Sequence, residues 1–208
     1  MNSTPFLVVD HLCKTYTQGT LKKRVTFQLE ANFTIEEPAI VGMMGPNGSG
    51  KTTLFELITG SNIPTSGTVT CLGKNIHKIK YHERDRLAIH YHQSYQVRKF
   101  KRTIPNFLLE SAESSYPKIH LFDEPQFNTQ DGYIGFMLDF FRKLRREGRL
   151  VFLCVHPNEL FHLEIMQEIC ERYMFVHQGT VTEYPNFETL LTDKRVKDYL
   201  GQLVESVP

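Results

Sequence analysis

Residues 45–53 read GPNGSGKTT, and no other stretch restricts the fold as tightly. Three glycines, a proline and small polar residues cannot sit inside a strand or a helix, so the segment is a tight loop. In front of it, AIVGMMG (39–45) is an almost unbroken apolar run, as a strand buried on both faces requires. Behind it, TTLFELITG has helical character and stops at Gly60. Strand, glycine-rich loop and helix in that order match GxxxxGK[ST] in the context that gives the pattern meaning. Small residues let the backbone curl until successive N–H groups point inward, and the helix start adds its positive end. Such a loop cradles phosphate. Gly45, Asn47, Gly48, Ser49, Gly50, Lys51, Thr52 and Thr53 are the expected cradle. Lys51 would reach β- and γ-phosphates, and the Thr52 hydroxyl would ligate Mg²⁺.

The second chemical feature is IHLFDE (119–124), an apolar strand that ends in two carboxylates. After a phosphate loop, Asp123 is expected to support Mg²⁺ and Glu124 to polarise an attacking water. Elsewhere, period-two alternation predicts strands at 6–12 and 25–35, strands and turns over 66–76, and strands at 86–93, 118–124 and 149–156. Helical periodicity covers 131–148 and 160–171. Two strands around a Gln-Gly turn follow at 172–184, then one amphipathic helix or a pair over 187–204. Early antiparallel strands followed by alternating strand and helix define an α/β chain with a mostly parallel core sheet.

Composition narrows the function classes. With 208 residues, 40% of them apolar, and a net charge of +1, the chain suits one large domain, and nothing global calls for nucleic acid. No apolar run reaches transmembrane length, and the N-terminal residues do not read as a signal peptide. Cys13, Cys71, Cys154 and Cys170 form no CxxC pair, which fits a reducing cytoplasm. His90 and His92 share a strand face, but two such residues without a third ligand read as structural.

Together these motifs resemble the ATP-binding cassette (ABC) ATPases, nearly end to end. GPNGSGKTTL is similar to the family's Walker A loop, LFDEP to its Walker B strand with the catalytic glutamate, and FVHQGTVTEY to the usual ending of its core. The resemblance implies that Gln93 contacts Mg²⁺ and the attacking water, that His156 in VFLCVHP holds the γ-phosphate, and that Tyr16 stacks on adenine. From the residues alone, Gln93 and His156 could equally end their strands, and Tyr16 could be a packed surface aromatic. The implied fold is a P-loop core of ABC type with an N-terminal antiparallel β subdomain, in one domain over 1–208.

Gln93 and Asp123 stand only 30 positions apart. In the resembled family this interval holds a helical subdomain and the LSGGQ signature. TIPNFLLESA (103–112) resembles the start of that subdomain and SSYPKIHLFDEP its exit, while the middle is missing and no LSGGQ occurs in the chain. The expectation is a cassette truncated between about 94 and 117. The family's D-loop aspartate is also displaced by one position, because Gln130 stands there and Asp131 follows. Family cassettes pair so that each ATP is clamped by the partner's signature. This chain is therefore expected to form a homodimer or to pair with a second cassette that supplies a signature, with Arg98, Lys99, Lys101 and Arg102 as substitute phosphate donors in the first case. Two functions follow. One is an ATP hydrolase, slow unless its site is completed, acting on a partner that could be a membrane transporter at the cytoplasmic face. The other is a nucleotide-dependent interaction module with little turnover. A small-molecule kinase fits poorly, since no arginine-rich lid segment is present.

Overall fold

A computed structural model describes residues 4–20, 22–91, 117–125 and 133–206. The chain runs β1 (Leu7–Gln18), β2 (Arg24–Ile35), β3 (Ile40–Met44), α1 (Lys51–Thr59), β4 (Ser66–Cys71), β5 (Lys74–Asn75), α2 (Tyr81–Arg84), β6 (Ala88–Tyr91) and β7 (Ile119–Asp123). It continues through α3 (Tyr133–Arg146), β8 (Leu150–Cys154), α4 (Leu160–Ile169), β9 (Arg172–His177), β10 (Thr180–Tyr184), α5 (Phe187–Thr192) and α6 (Lys194–Leu200), with a 3₁₀ turn at Gly201–Ser206.

The strands join in one sheet of order β5-β4-β1-β2-β10-β9-β3-β8-β7-β6. From β9 to β6 every neighbour pair is parallel, whereas β5-β4-β1-β2 is antiparallel. The two parts meet where Thr180 of β10 pairs with Glu30 of β2. Mostly parallel core and N-terminal antiparallel strands are both present, as expected, but within one continuous hydrogen-bonded sheet.

Alternation along the parallel strands sorts the core into two faces. Val41, Met43, Leu121, Phe152 and Cys154 pack with Leu54, Phe55 and Ile58 of α1 and with apolar residues of β1 and β2. Ile40, Met44, Phe122, Val151, Leu153 and Phe175 face the opposite way and pack with Phe141 and Leu144 of α3 and Leu163 and Met166 of α4. The sheet thus has a cover on each side, and the strands' carboxyl ends remain open at one edge. In parallel sheets this edge is where ligands bind.

β1 is longer than its alternation suggests. The register with β2 shifts between Val9 and Leu12, and His11 takes a φ of 44°. This β-bulge changes the phase of the in-out pattern, so the strand resumes out of step and continues to Gln18. Gly67 of β4 accommodates the bulge: a Cβ there would lie 2.2 Å from the His11 carbonyl oxygen. Over 187–204 the pair of helices forms, not the single one. Asp193 has an extended backbone (φ −67°, ψ 125°) and its carboxylate accepts from the Arg195 amide, so it ends α5 and caps α6.

Candidate functional site

The glycine-rich loop leaves β3 at the open edge and turns directly into α1. Gly45 has a φ of 154°, and a Cβ at this position would lie 2.0 Å from the Val176 carbonyl oxygen, so the loop starts flush against β9. The β9–β10 turn braces it, with the Gly179 amide donating to the Ser49 carbonyl at 3.0 Å. Gly50 is left-handed and offers no side-chain cap to α1, so the first amides of that helix stay available to an anion. Lys51 is 6% exposed, and its Nζ donates to the carbonyls of Gly45 (2.7 Å) and Pro46 (2.9 Å). Its ammonium is thus held by two carbonyls of the loop itself. Ser49 Oγ is buried without a hydrogen-bond partner among the described residues. A buried hydroxyl left unpaired costs about 1–3 kcal/mol, which a phosphate oxygen could recover.

β7 brings the carboxylates to the same edge. Ile119 and Leu121 face α1, and Asp123 follows in phase. The Thr52 hydroxyl donates to Asp123 Oδ2 at 2.8 Å, and His90 Nε2 of β6 lies 3.3 Å from the same oxygen. Burial pushes the Asp123 carboxyl up, but the hydrogen bonds from His90 and Thr52 outweigh it and hold the group below its usual value. An ionised carboxylate beside a hydroxyl is a hard-oxygen donor pair, and this fits Mg²⁺.

Glu124 leaves the sheet in a left-handed turn (φ 50°), and its amide donates to the Cys154 carbonyl at 2.9 Å. A non-glycine residue in this conformation, directly before Pro125, costs on the order of 1–3 kcal/mol. Strain of this kind gathers at functional sites. β8 lies between β3 and β7, and His156 follows its end, after Val155, whose amide donates to the Met43 carbonyl at 2.9 Å. Adjacent strand ends therefore present the loop, His156 and the Asp123–Glu124 pair. His156 Nδ1 lies 2.9 Å from the Tyr199 hydroxyl of α6.

Tyr16 stands apart, on β1 and 37% exposed. Its hydroxyl accepts from Asn62 Nδ2 at 2.9 Å, its ring lies 6.3 Å from Phe27, and Lys14 Nζ sits 5.2 Å from the ring centre. Phe27 in turn touches the Gly50 position of the loop. One aromatic pair thus connects Tyr16 to the cradle. Gln93, the basic residues at 98–102, the 94–116 segment, Gln130 and Asp131 lie outside the described residues.

Two site residues were not anticipated. His90 shares Asp123's sheet face, and its ring meets Phe55 of α1 edge-on at 5.5 Å. The alternation over 86–93 carries that signal, but sequence alone pairs this histidine with His92 and not with an acid 33 positions on. Tyr199 gave no local signal at all, since it reaches the site only through the docking of α6.

A P-loop between a buried parallel strand and its helix, with an acid on a neighbouring strand hydrogen-bonded to the loop threonine, defines a nucleotide-binding α/β protein. The comparisons refine this class. The ABC transporter family model matches residues 29–112. ATP-binding protein ChvD of Rhizobium radiobacter is 44% identical over 68 residues, which is 33% of this chain and 21% of ChvD. The ABC transporter ATP-binding protein NatA of Bacillus subtilis is 22% identical over 89% of this chain and 94% of its own length. The ATP-binding cassette MJ0796, in a dimeric post-hydrolysis structure bound to ADP and Pi, superposes with a TM-score of 0.65 at 18% identity, covering 86% of this chain and 98% of MJ0796. The family match over residues 29–112 and the likeness to NatA support an ABC ATPase family member, and the solved cassette shows the same fold. It spans about a fifth of the length of ChvD, so that protein's full architecture is not represented here. No helix among the described residues is long and apolar enough to cross a membrane.

Proposed function

We propose that the chain binds Mg-ATP in the loop of residues 45–53 and hydrolyses it to ADP and phosphate to drive a partner protein. The observation that carries this reading is the 2.8 Å hydrogen bond from Thr52 to Asp123, which unites two motifs 71 positions apart into one metal-binding pair. In the proposed complex the loop amides and Lys51 hold the phosphates. Thr52, Asp123 and Gln93 would hold Mg²⁺, which would supply positive charge to offset that of the phosphates. Glu124 accepts the proton of the attacking water, and His156 donates to the γ-phosphate. Positioning and charge stabilisation supply most of the acceleration in phosphoryl transfer, and every one of these groups is an element of that kind.

The cassette is proposed to be a single domain lacking the helical subdomain between about 94 and 117. The alignment with NatA is consistent with this, since its 236 positions exceed the chain's own 208 residues and therefore include gaps in this chain. Without an LSGGQ of its own, the chain needs a partner to close over the γ-phosphate. MJ0796 is recorded as a dimer, which favours a homodimer or a pairing with a second cassette. The partner being driven is proposed to be a membrane protein, with this chain on its cytoplasmic face. The test is phosphate release by the purified full chain, alone and in the complex recovered from its native cell. Slow release alone and faster release in the complex is expected. The absence of release in both would favour the nucleotide-dependent interaction module, for which the missing signature is the specific argument.

Tyr16 is proposed to stack on the base. Tyr16→Ala is then expected to cost about 1–3 kcal/mol in ATP affinity, on the scale of base stacking, and to leave tripolyphosphate affinity unchanged. Equal losses for both ligands, measured by calorimetry, would remove Tyr16 from the site.

A further inference from the structure

We propose that Tyr199 is a positioning residue that fixes the tautomer of His156, so that the C-terminal helix α6 sets the donor facing the γ-phosphate. This rests on the reading of His156 as a phosphate-facing group. The geometry comes from three contacts of one side chain. The Tyr199 hydroxyl lies 2.9 Å from His156 Nδ1. The two rings meet edge-on, with centres 6.0 Å apart and planes at 60°, and the Tyr199 ring centre lies 5.7 Å from that of Phe175 of β9.

The direction of the hydrogen bond follows from what each atom can do. Among the described residues His156 Nδ1 is the one acceptor within hydrogen-bond distance of the Tyr199 hydroxyl, and a phenol proton left without an acceptor would be costly. The Tyr199 proton then points to Nδ1, which must accept. A neutral imidazole that accepts at Nδ1 carries its proton on Nε2. That nitrogen is the one turned away from Tyr199, and in this tautomer it is a donor, as a phosphate oxygen requires. With Nδ1 protonated instead, Nε2 would present a lone pair to an anion and repel it. Burial pushes the Tyr199 hydroxyl above its ordinary value, so the proton stays on the oxygen at neutral pH. One hydroxyl therefore ties the histidine to α6, and any partner that shifts α6 would reach the site through it.

The test is Tyr199→Phe in the full chain, which keeps the ring packing and removes only the hydroxyl. Nitrogen resonances of ¹⁵N-histidine-labelled protein report the tautomer directly. Wild type is expected to show His156 with Nδ1 unprotonated and Nε2 protonated, and the variant to show both nitrogens moved toward a mixed population. With Mg-ATP, kcat is expected to fall about tenfold, the scale of one neutral hydrogen bond, with KM within about twofold. Unmoved His156 resonances in Tyr199→Phe would overturn the proposal. Moved resonances with unchanged kcat would overturn its role in turnover. If wild type releases no phosphate, the hydrolysis reading fails, and the resonances still decide whether Tyr199 sets the tautomer.

Discussion

Glu124→Gln is expected to bind Mg-ATP with close to wild-type affinity and to turn it over at least ~10²-fold more slowly, the scale of losing a positioned general base. The substitution is nearly isosteric, so it preserves the turn at φ 50° and the amide bond to Cys154 that anchors it. Asp123, one residue earlier, keeps its hydrogen bonds to Thr52 and His90, and the proposed metal pair is untouched. What disappears is the carboxylate that can take a proton from water. Phosphate release under saturating Mg-ATP measures the rate, and bound nucleotide after gel filtration measures retention. If Glu124→Gln releases phosphate as fast as wild type, Glu124 is not the base and the interaction-module reading gains.

The second large effect concerns acid stability. His120 lies on β7, fully buried on the face opposite Asp123. Its ring stacks against Tyr91 (5.8 Å) and Phe122 (6.2 Å), Nδ1 lies 2.9 Å from the Tyr91 hydroxyl, and Nε2 faces the buried Arg149 guanidinium at 3.5 Å. Burial, reinforced by the Arg149 charge, pushes its pKa down to about 3 despite a hydrogen bond to the Pro117 backbone. The folded state therefore keeps His120 neutral while the unfolded chain protonates it below about 6.5. Above that pH the group adds no pH dependence. As pH falls from about 6.5 toward 3, the unfolded state binds more protons and unfolding becomes easier, by about 1.4 kcal/mol per unit. Between pH 6.5 and 5 the expected loss is about 2 kcal/mol. Urea denaturation at both values should show it in wild type, and His120→Gln should show a slope flatter by that amount. Identical slopes in the two proteins would remove His120 as the cause.

The sequence made the site's chemistry more legible than its support. The P-loop, the Asp123–Glu124 pair and His156 each follow an apolar strand, and alternation is a local property that a reader can follow. The same alternation failed in β1, because the bulge at His11 inverts its phase and hides six further residues of strand. Gly67, which accommodates that bulge, is constrained by a carbonyl more than fifty positions away, which no local pattern shows. His90 and Tyr199 escaped for the same reason. Their partners, Asp123 and His156, lie 33 and 43 positions away, and only sheet order and helix docking bring them together. Short-range propensity did not decide between one helix and two over 187–204 either. Asp193 decided it, by capping α6 with the side chain that Arg195 and Tyr184 also hold.

The central claim is that the loop of residues 45–53 and Asp123 form one Mg-nucleotide site, and calorimetric titration of ATP into the full chain tests it most directly. The account predicts saturable binding with one ATP per chain, strengthened by Mg²⁺ and weakened about 10²-fold or more in Lys51→Ala, because that variant loses charge-assisted hydrogen bonds to the phosphates, each worth roughly 1.5–3 kcal/mol. Binding that ignores Mg²⁺ and survives Lys51→Ala undiminished, or no binding at all, would contradict it.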